Sequence, residues 1–372
     1  MPSLPDAIVV GAGIIGLCSA TAIARRGLNV LLIGEPRSGE ASLAAAGMLA
    51  PSVEKSAGPA HRFACAARDL YPSYLEDLAE ITGIRVPLNR LGVLQVALTE
   101  KGIQGLRKAA ADRSEWIDRQ ALGELEPTLG HALGAVLNPD DGAVDNVVLI
   151  AALEELVRTE KRISRIEGSV TGVSANEGNA SVQLASGEKL EAGYVVLAPG
   201  AWGGDIEGAK RLGAVQPSRG QLISYDAIGL RHVTYGPRGY LVPRAGGALA
   251  VPSRRDTPAS SVIAGSTMEN AGFVSDTTPE GLAKVRSAAE EIAPALAISS
   301  IRASWAGLRP VTPDMLPILG PDPEKPRIVY ACGHARNGIL LAPLTGETVA
   351  ALVTEEPLAH DLSQFHPARF SG

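Results

Sequence analysis

Apolar residues along the chain fall into short unbroken runs, alternating patches and stretches of helical spacing. Ala7–Val10 is an unbroken run, residues 14–26 carry apolar positions at helical intervals, and Asn29–Ile33 is a second run. That succession predicts a strand, a helix and a strand. Residues 59–81 place Phe63, Ala67, Leu70, Tyr74 and Leu78 on one helical face. Strands with a turn are expected over 84–98, helices near 100–111 and 118–125, and a turn cluster at NPDDGAVDN (138–146). A helix over 146–160 and alternating strands over 165–185 follow. YVVLAPGAW (194–202) is a buried strand that stops at Ala-Pro-Gly, and Gly200 marks a close backbone approach. Residues 215–251 and 262–269 pattern as strands around a polar loop at 252–261; a helix near 280–292 and a strand near 300–305 come next. Residues 327–353 close the pattern as a strand, a glycine-flanked turn and an apolar helix, with Pro343 expected in about its first turn, where a missing amide does little harm.

The first strand and helix are joined by Gly11, Gly13 and Gly16 in the spacing G-x-G-x-x-G. Gly11 permits the tight turn, Gly13 lets a pyrophosphate approach the backbone, and Gly16 lets helix and strand pack closely. The helix N-terminus then offers partial positive charge to phosphate. An acidic ribose ligand is expected at the end of the second strand; Gly34 stands there, and Glu35 beside it is the candidate from a shifted turn. The motif fits NAD and FAD alike. Residues 39–54 then supply a run of tiny side chains ending in Gly47-Met48, suited to a flat ligand or to an Ala-rich helix start. Strand units at both chain ends suggest one nucleotide-binding domain built from discontinuous segments, with the intervening strands in a separate sheet.

Length and charge narrow the class. The chain has 372 residues, 45% hydrophobic and 20% charged, and a net charge of −6. Nucleic-acid binding would need basic clusters; the densest basic spots, Arg25-Arg26 and Arg254-Arg255, read as solvated surface. No run approaches the roughly 18–20 apolar residues that span a membrane, and no secretory signal is evident. Three dispersed cysteines suit free thiols in a cytoplasmic protein. The six histidines lack metal-ligand spacing, so no metal is expected.

Arg309 stands in WAGLRPVTP with no acidic residue closer than Asp314. A guanidinium there serves either a distant carboxylate or an anionic ligand. Tyr240 is either a core tyrosine or a ligand contact, and Arg336 touches either cofactor alone or substrate as well. His334 reads as structural.

GAGIIG (11–16), SLAAAGML (42–49), VVLAPGAW (195–202), YLVPR (240–244), WAGLRP (305–310) and GHARNGILLAP (333–343) together resemble the D-amino acid oxidase family of FAD-dependent oxidoreductases over nearly the whole chain. The resemblance implies an α/β fold: a Rossmann-like FAD-binding domain from 1–82, 143–214 and 310–372, and an antiparallel β-sheet substrate (cap) domain from 83–142 and 215–309. It implies that Gly11, Gly13, Ile14, Ile15 and Gly16 meet the pyrophosphate, and that Ala41, Ser42, Ala46, Gly47 and Met48 line the phosphate and flavin ring. Val170 would contact the adenine side. His334, Arg336, Asn337, Gly338, Ile339 and Leu340 would follow the flavin's pyrimidine edge. Tyr240, Arg309, Arg336 and Met268 would contact substrate, although the segment between Tyr240 and Met268 is longer than the family's usual hairpin. The related sarcosine oxidases carry a cysteine where Ala306 stands, so FAD is expected to be non-covalent here.

The implied reaction moves a hydride from the carbon of glycine or another small amino acid or amine to flavin N5. The imine hydrolyses to glyoxylate or a keto acid plus ammonia, and molecular oxygen yields hydrogen peroxide. Thiamine thiazole synthesis is the implied setting and a homo-oligomer the implied assembly. A D-amino acid oxidase or dehydrogenase, or a sarcosine-type oxidase, is the alternative. No side chain need act as acid or base if the amine binds neutral.

Overall fold

In a computed structural model, which describes residues 4–54, 56–110, 113–244 and 260–370, apolar runs from both ends of the chain pair in one sheet. Its strand order is Ile318–Pro321, Ile328–Cys332, Tyr194–Leu197, Ala7–Val10, Val30–Ile33, Ile163–Ile166. All neighbours are parallel except the Ile318–Pro321 edge. Unbroken apolar runs suit such strands because both faces are covered. Ala7, Val9, Val30 and Leu32 face a core that includes residues of the helices Ile14–Arg25, Gly58–Thr82, Asn146–Thr159 and Gly338–Val353. Ile8, Val10 and Ile33 face the opposite core, closed by a three-stranded antiparallel sheet, Val170–Ala175, Ala180–Leu184 and Lys189–Ala192.

A second sheet orders its strands as Ile301–Val311, Gln216–Asp226, Ser261–Gly265, Tyr240–Arg244, Val233–Tyr235, Val93–Ala97, Gly134–Asn138 and Glu115–Asp118. It is antiparallel apart from the parallel pair Val93–Ala97 with Val233–Tyr235. The short helix Ala41–Ala44 and the residues before it are held against the second sheet: Leu308 N donates to Gly39 O (2.8 Å), and Trp305 Nε1 to Ala44 O (2.9 Å).

Several expectations need correction. The strand expected near 300–305 runs on to Val311, so Arg309 lies within a strand paired to Ser218. The strand Glu115–Asp118 divides the two helices expected over 100–125; it is an edge strand with only two apolar residues. The buried stripe of Gly58–Thr82 includes Tyr71 and Leu75, while Leu70 and Tyr74 are only partly buried. Pro343 lies inside Gly338–Val353, in the second turn rather than the first. The polar loop expected over 252–261, with Arg254-Arg255, lies outside the described residues up to 259.

Candidate active site

A cleft of about 400 Å³ opens at the carboxyl ends of the parallel strands, lined by Val10, Ile33, Ala198 and Cys332 among others. Ligand crevices of open α/β sheets form there, because loops and helix N-termini converge at that edge. Gly11, Ala12, Gly13, Ile14 and Ile15 bring the N-terminus of Ile14–Arg25 to its wall. Gly11 has φ +104°, and a Cβ there would lie 2.2 Å from Ala198 O, so only glycine lets these backbones meet. Ser42 Oγ accepts from Ile14 N at 3.1 Å, tying the tiny-residue segment to the helix start.

Two groups of side chains line the cleft. One gathers at the end of Val30–Ile33. Arg37 donates to Glu35 at 2.6 Å and to Ser169 Oγ at 2.7 Å, and its guanidinium lies 5.8 Å from the Trp202 ring centroid. Gly34 is required beside them, since a Cβ would lie 2.8 Å from Ala12. Packing against the glycine loop therefore displaces the acidic residue to Glu35. Val170 lines this part of the cleft as well.

The other group is built on the second sheet. Arg309 donates from Nη1 to Thr267 O (3.2 Å) and from Nη2 to Ser266 Oγ (2.7 Å). Its guanidinium lies across Gly220, where a Cβ would fall 2.0 Å from Nη1. Tyr240 lines the same wall, its ring 5.6 Å from that of Tyr235. Arg336 donates to Glu54 at 2.8 Å and to the Tyr235 hydroxyl at 3.2 Å. Ala335 N donates to Pro310 O at 2.9 Å, which brings the Arg336 turn against the Arg309 strand. His334 is buried and its Nε2 lies 3.2 Å from Thr345 Oγ1; burial pulls its pKa down to about 3, so the ring is neutral near pH 7.

Most of the sequence-derived candidates meet in this cleft: Gly11, Gly13, Ile14, Ile15, Glu35, Ala41, Ser42, Ala46, Gly47, Met48, Val170, Tyr240, Arg309, His334, Arg336, Gly338 and Ile339 all line it. Four do not. A Cβ on Gly16 would lie 1.8 Å from Gly11 O, so Gly16 serves helix–strand packing behind the loop. Asn337 turns its N–H to His334 O (2.9 Å), and Leu340 points into the helical core. Met268 is 55% exposed; Ser266 and Thr267, not Met268, meet Arg309 from that segment. Sequence reading missed Arg37, Ser169, Trp202, Ser266, Tyr235 and Glu54, whose only local signal is polarity near a glycine turn or strand end. Cys332 also lines the cleft; burial pushes its thiol up to about 12 and keeps it protonated.

The cleft suits FAD on its own geometry. The glycine cradle and helix N-terminus offer a phosphate site, and one continuous space links it to both side-chain groups. The fold and cleft thus define a dinucleotide-binding α/β protein. The family described as DAO, FAD dependent oxidoreductase, matches residues 6–352; the chain belongs to it, and FAD is its cofactor.

The chain is 32% identical to the glycine oxidase of Geobacillus kaustophilus, covering 99% of this chain and 97% of that protein. The crystal structure of glycine oxidase from Geobacillus kaustophilus superposes with a TM-score of 0.87, at 30% identity and 99% coverage of each chain. It is also 31% identical to the bifunctional protein ThiO/ThiG of Synechocystis sp. over 100% of this chain, which spans 55% of that protein. Among the described residues, no helix is long and apolar enough to cross a membrane.

Proposed function

We propose that the protein oxidises glycine or another small amino acid or amine with FAD, releasing an imine that hydrolyses to glyoxylate or a keto acid and ammonia. One observation carries this reading. Four arginines line the cleft, and three hold a carboxylate: Arg37–Glu35 at 2.6 Å, Arg165–Glu154 at 2.5 Å and Arg336–Glu54 at 2.8 Å. Among the described residues, Arg309 has no carboxylate partner. Ser266 and Thr267 use two of its five N–H groups and fix its plane; the remaining donors suit a substrate carboxylate. Tyr240 would add a hydroxyl. Bound FAD supplies the hydride acceptor and passes the electrons to molecular oxygen. His334, with its pKa pulled down to about 3 by burial, is a poor proton acceptor, and the reading gives it no acid–base role. The first turn of Gly338–Val353, through Gly338 and Ile339, turns its partial positive charge toward the cleft.

Segments 1–82, 143–214 and 310–372 would then hold the cofactor, and 83–142 with 215–309 the substrate, in keeping with the two sheets. The same reading carries a homo-oligomer and a setting in thiamine thiazole synthesis, both implied by the family resemblance, and a cytoplasmic location, to which the three dispersed cysteines point.

Glycine added without oxygen should bleach the flavin absorption, and peroxide release in air separates an oxidase from a dehydrogenase. No bleaching by glycine, sarcosine or any small D-amino acid overturns the proposal. Arg309→Lys should keep FAD and fold while weakening glycine binding about 10- to 100-fold, because a point charge does not reproduce the planar fork. Loss of FAD or folding with unaltered glycine affinity would instead make Arg309 structural.

A further inference from the structure

The two arginines on the substrate side of the cleft are held in opposite ways. Arg309 rests on neutral acceptors, whereas Arg336 is neutralised by Glu54 and braced by the Tyr235 hydroxyl. The two positions are close in the backbone: Ala335 and Pro310, joined by a 2.9 Å hydrogen bond, directly adjoin Arg336 and Arg309. Tyr235 is the cross-strand partner of Tyr240, so the Glu54–Arg336–Tyr235 cluster borders the wall assigned to substrate. Arg336 itself lines the cleft, and Glu54, 20% exposed, reaches it at 2.8 Å from behind that lining, so a ligand in the cleft meets Arg336 with Glu54 next to it.

We propose that Glu54 sets substrate class: by occupying Arg336 it restricts the cleft to amines carrying one carboxylate, and it excludes dicarboxylic amines. A second carboxylate entering beside Arg309 would meet an arginine already neutralised and the negative charge of Glu54 beside it. Replacing Glu54 with a neutral residue exposes a second guanidinium and removes that repulsion together. This rests on the substrate reading above, and it assigns a specificity role to a residue outside the motifs that identify the family.

The test compares a monoanion with a dianion, read first as binding. Acetate and malonate are titrated against the FAD-loaded protein by perturbation of the flavin absorption. Glu54→Gln and Glu54→Ala should each raise the malonate-to-acetate affinity ratio about tenfold or more over the starting protein. Adding Arg336→Gln to Glu54→Gln should remove most of that gain. With amines, the ratio of kcat/KM for iminodiacetate to that for glycine should rise in parallel in the single variants. An unchanged malonate-to-acetate ratio overturns the proposal. So does a gain that survives undiminished in the double variant, because the effect would then be repulsion alone and not release of Arg336. If the malonate gain appears while no small amine reduces the flavin, the Glu54 assignment stands and the oxidase reading falls.

Discussion

At His334 burial outweighs every other influence on the ring. Desolvation lowers its pKa from 6.5 to about 3, and Thr345 is its hydrogen-bond partner. The unfolded chain therefore takes up a proton near pH 6.5 that the folded chain refuses. Stability is fully present above pH 6.5 and is lost as pH falls toward 3, by about 2 kcal/mol at pH 5 from this group. His334→Gln keeps a hydrogen-bonding amide and cannot take up that proton. Its thermal midpoint should fall less between pH 7 and pH 5 than that of the unaltered protein; equal slopes would show that other groups govern the acid limb. Individual residues were unevenly legible. Arg309 declared itself by lacking a local acidic neighbour, and Glu35 by its place after a glycine. Gly220, Ser266 and Thr267, which seat the Arg309 guanidinium, lie over 40 positions away in the chain and carry no local mark.

Among the elements, Gly338–Val353 shows how a sequence exception is absorbed. Pro343 has no N–H, so the carbonyl of Ile339 four residues earlier loses its helical donor. The Tyr71 hydroxyl donates to that carbonyl at 2.5 Å from the helix Gly58–Thr82. Tyr71→Phe should therefore destabilise the protein by about 1–2 kcal/mol, leaving a buried acceptor unpaired. Adding Pro343→Ala should recover part of that loss by supplying an N–H. No loss for Tyr71→Phe in denaturant titrations would show that the bond contributes nothing. Elements with a sustained apolar period or an unbroken run were legible, including the parallel strands Ala7–Val10, Val30–Ile33, Tyr194–Leu197 and Ile328–Cys332; Ile163–Ile166, with two polar residues at its centre, was not. Glu115–Asp118 was not, since four residues with charged ends become a strand only where Gly134–Asn138 offers a free edge. The extent of Ile301–Val311 was hidden by its Gly and Pro residues, which pairing with Gln216–Asp226 overrides.

In the molecule as a whole, Arg244 ties the second sheet to the tiny-residue segment of the cleft wall and to the start of the helix Asn146–Thr159. From the strand Tyr240–Arg244 it donates to Val144 O (2.6 Å), Ala46 O (2.9 Å) and Asn146 Oδ1 (2.6 Å). Asn146 Nδ2 in turn donates to Ser42 O (2.8 Å), next to the glycine-loop contact of Ser42. Arg244→Met would keep much of the side-chain volume and remove every donor. FAD affinity should fall about tenfold or more, measured by quenching of flavin fluorescence on binding, with a lower melting temperature of the FAD-free protein. A folded variant with unaltered FAD affinity would show that the link does not position the cleft. By itself the sequence determined most of the parallel core, the glycine turn after its first strand and the family, because each is written in contiguous residues whose spacing mirrors local backbone geometry. Only the tertiary structure decided which polar side chains share the cleft, which arginine is left without a carboxylate and which glycines yield space to a guanidinium. Those relations depend on segments distant in sequence, brought into contact by the pairing of strands and the packing of two sheets.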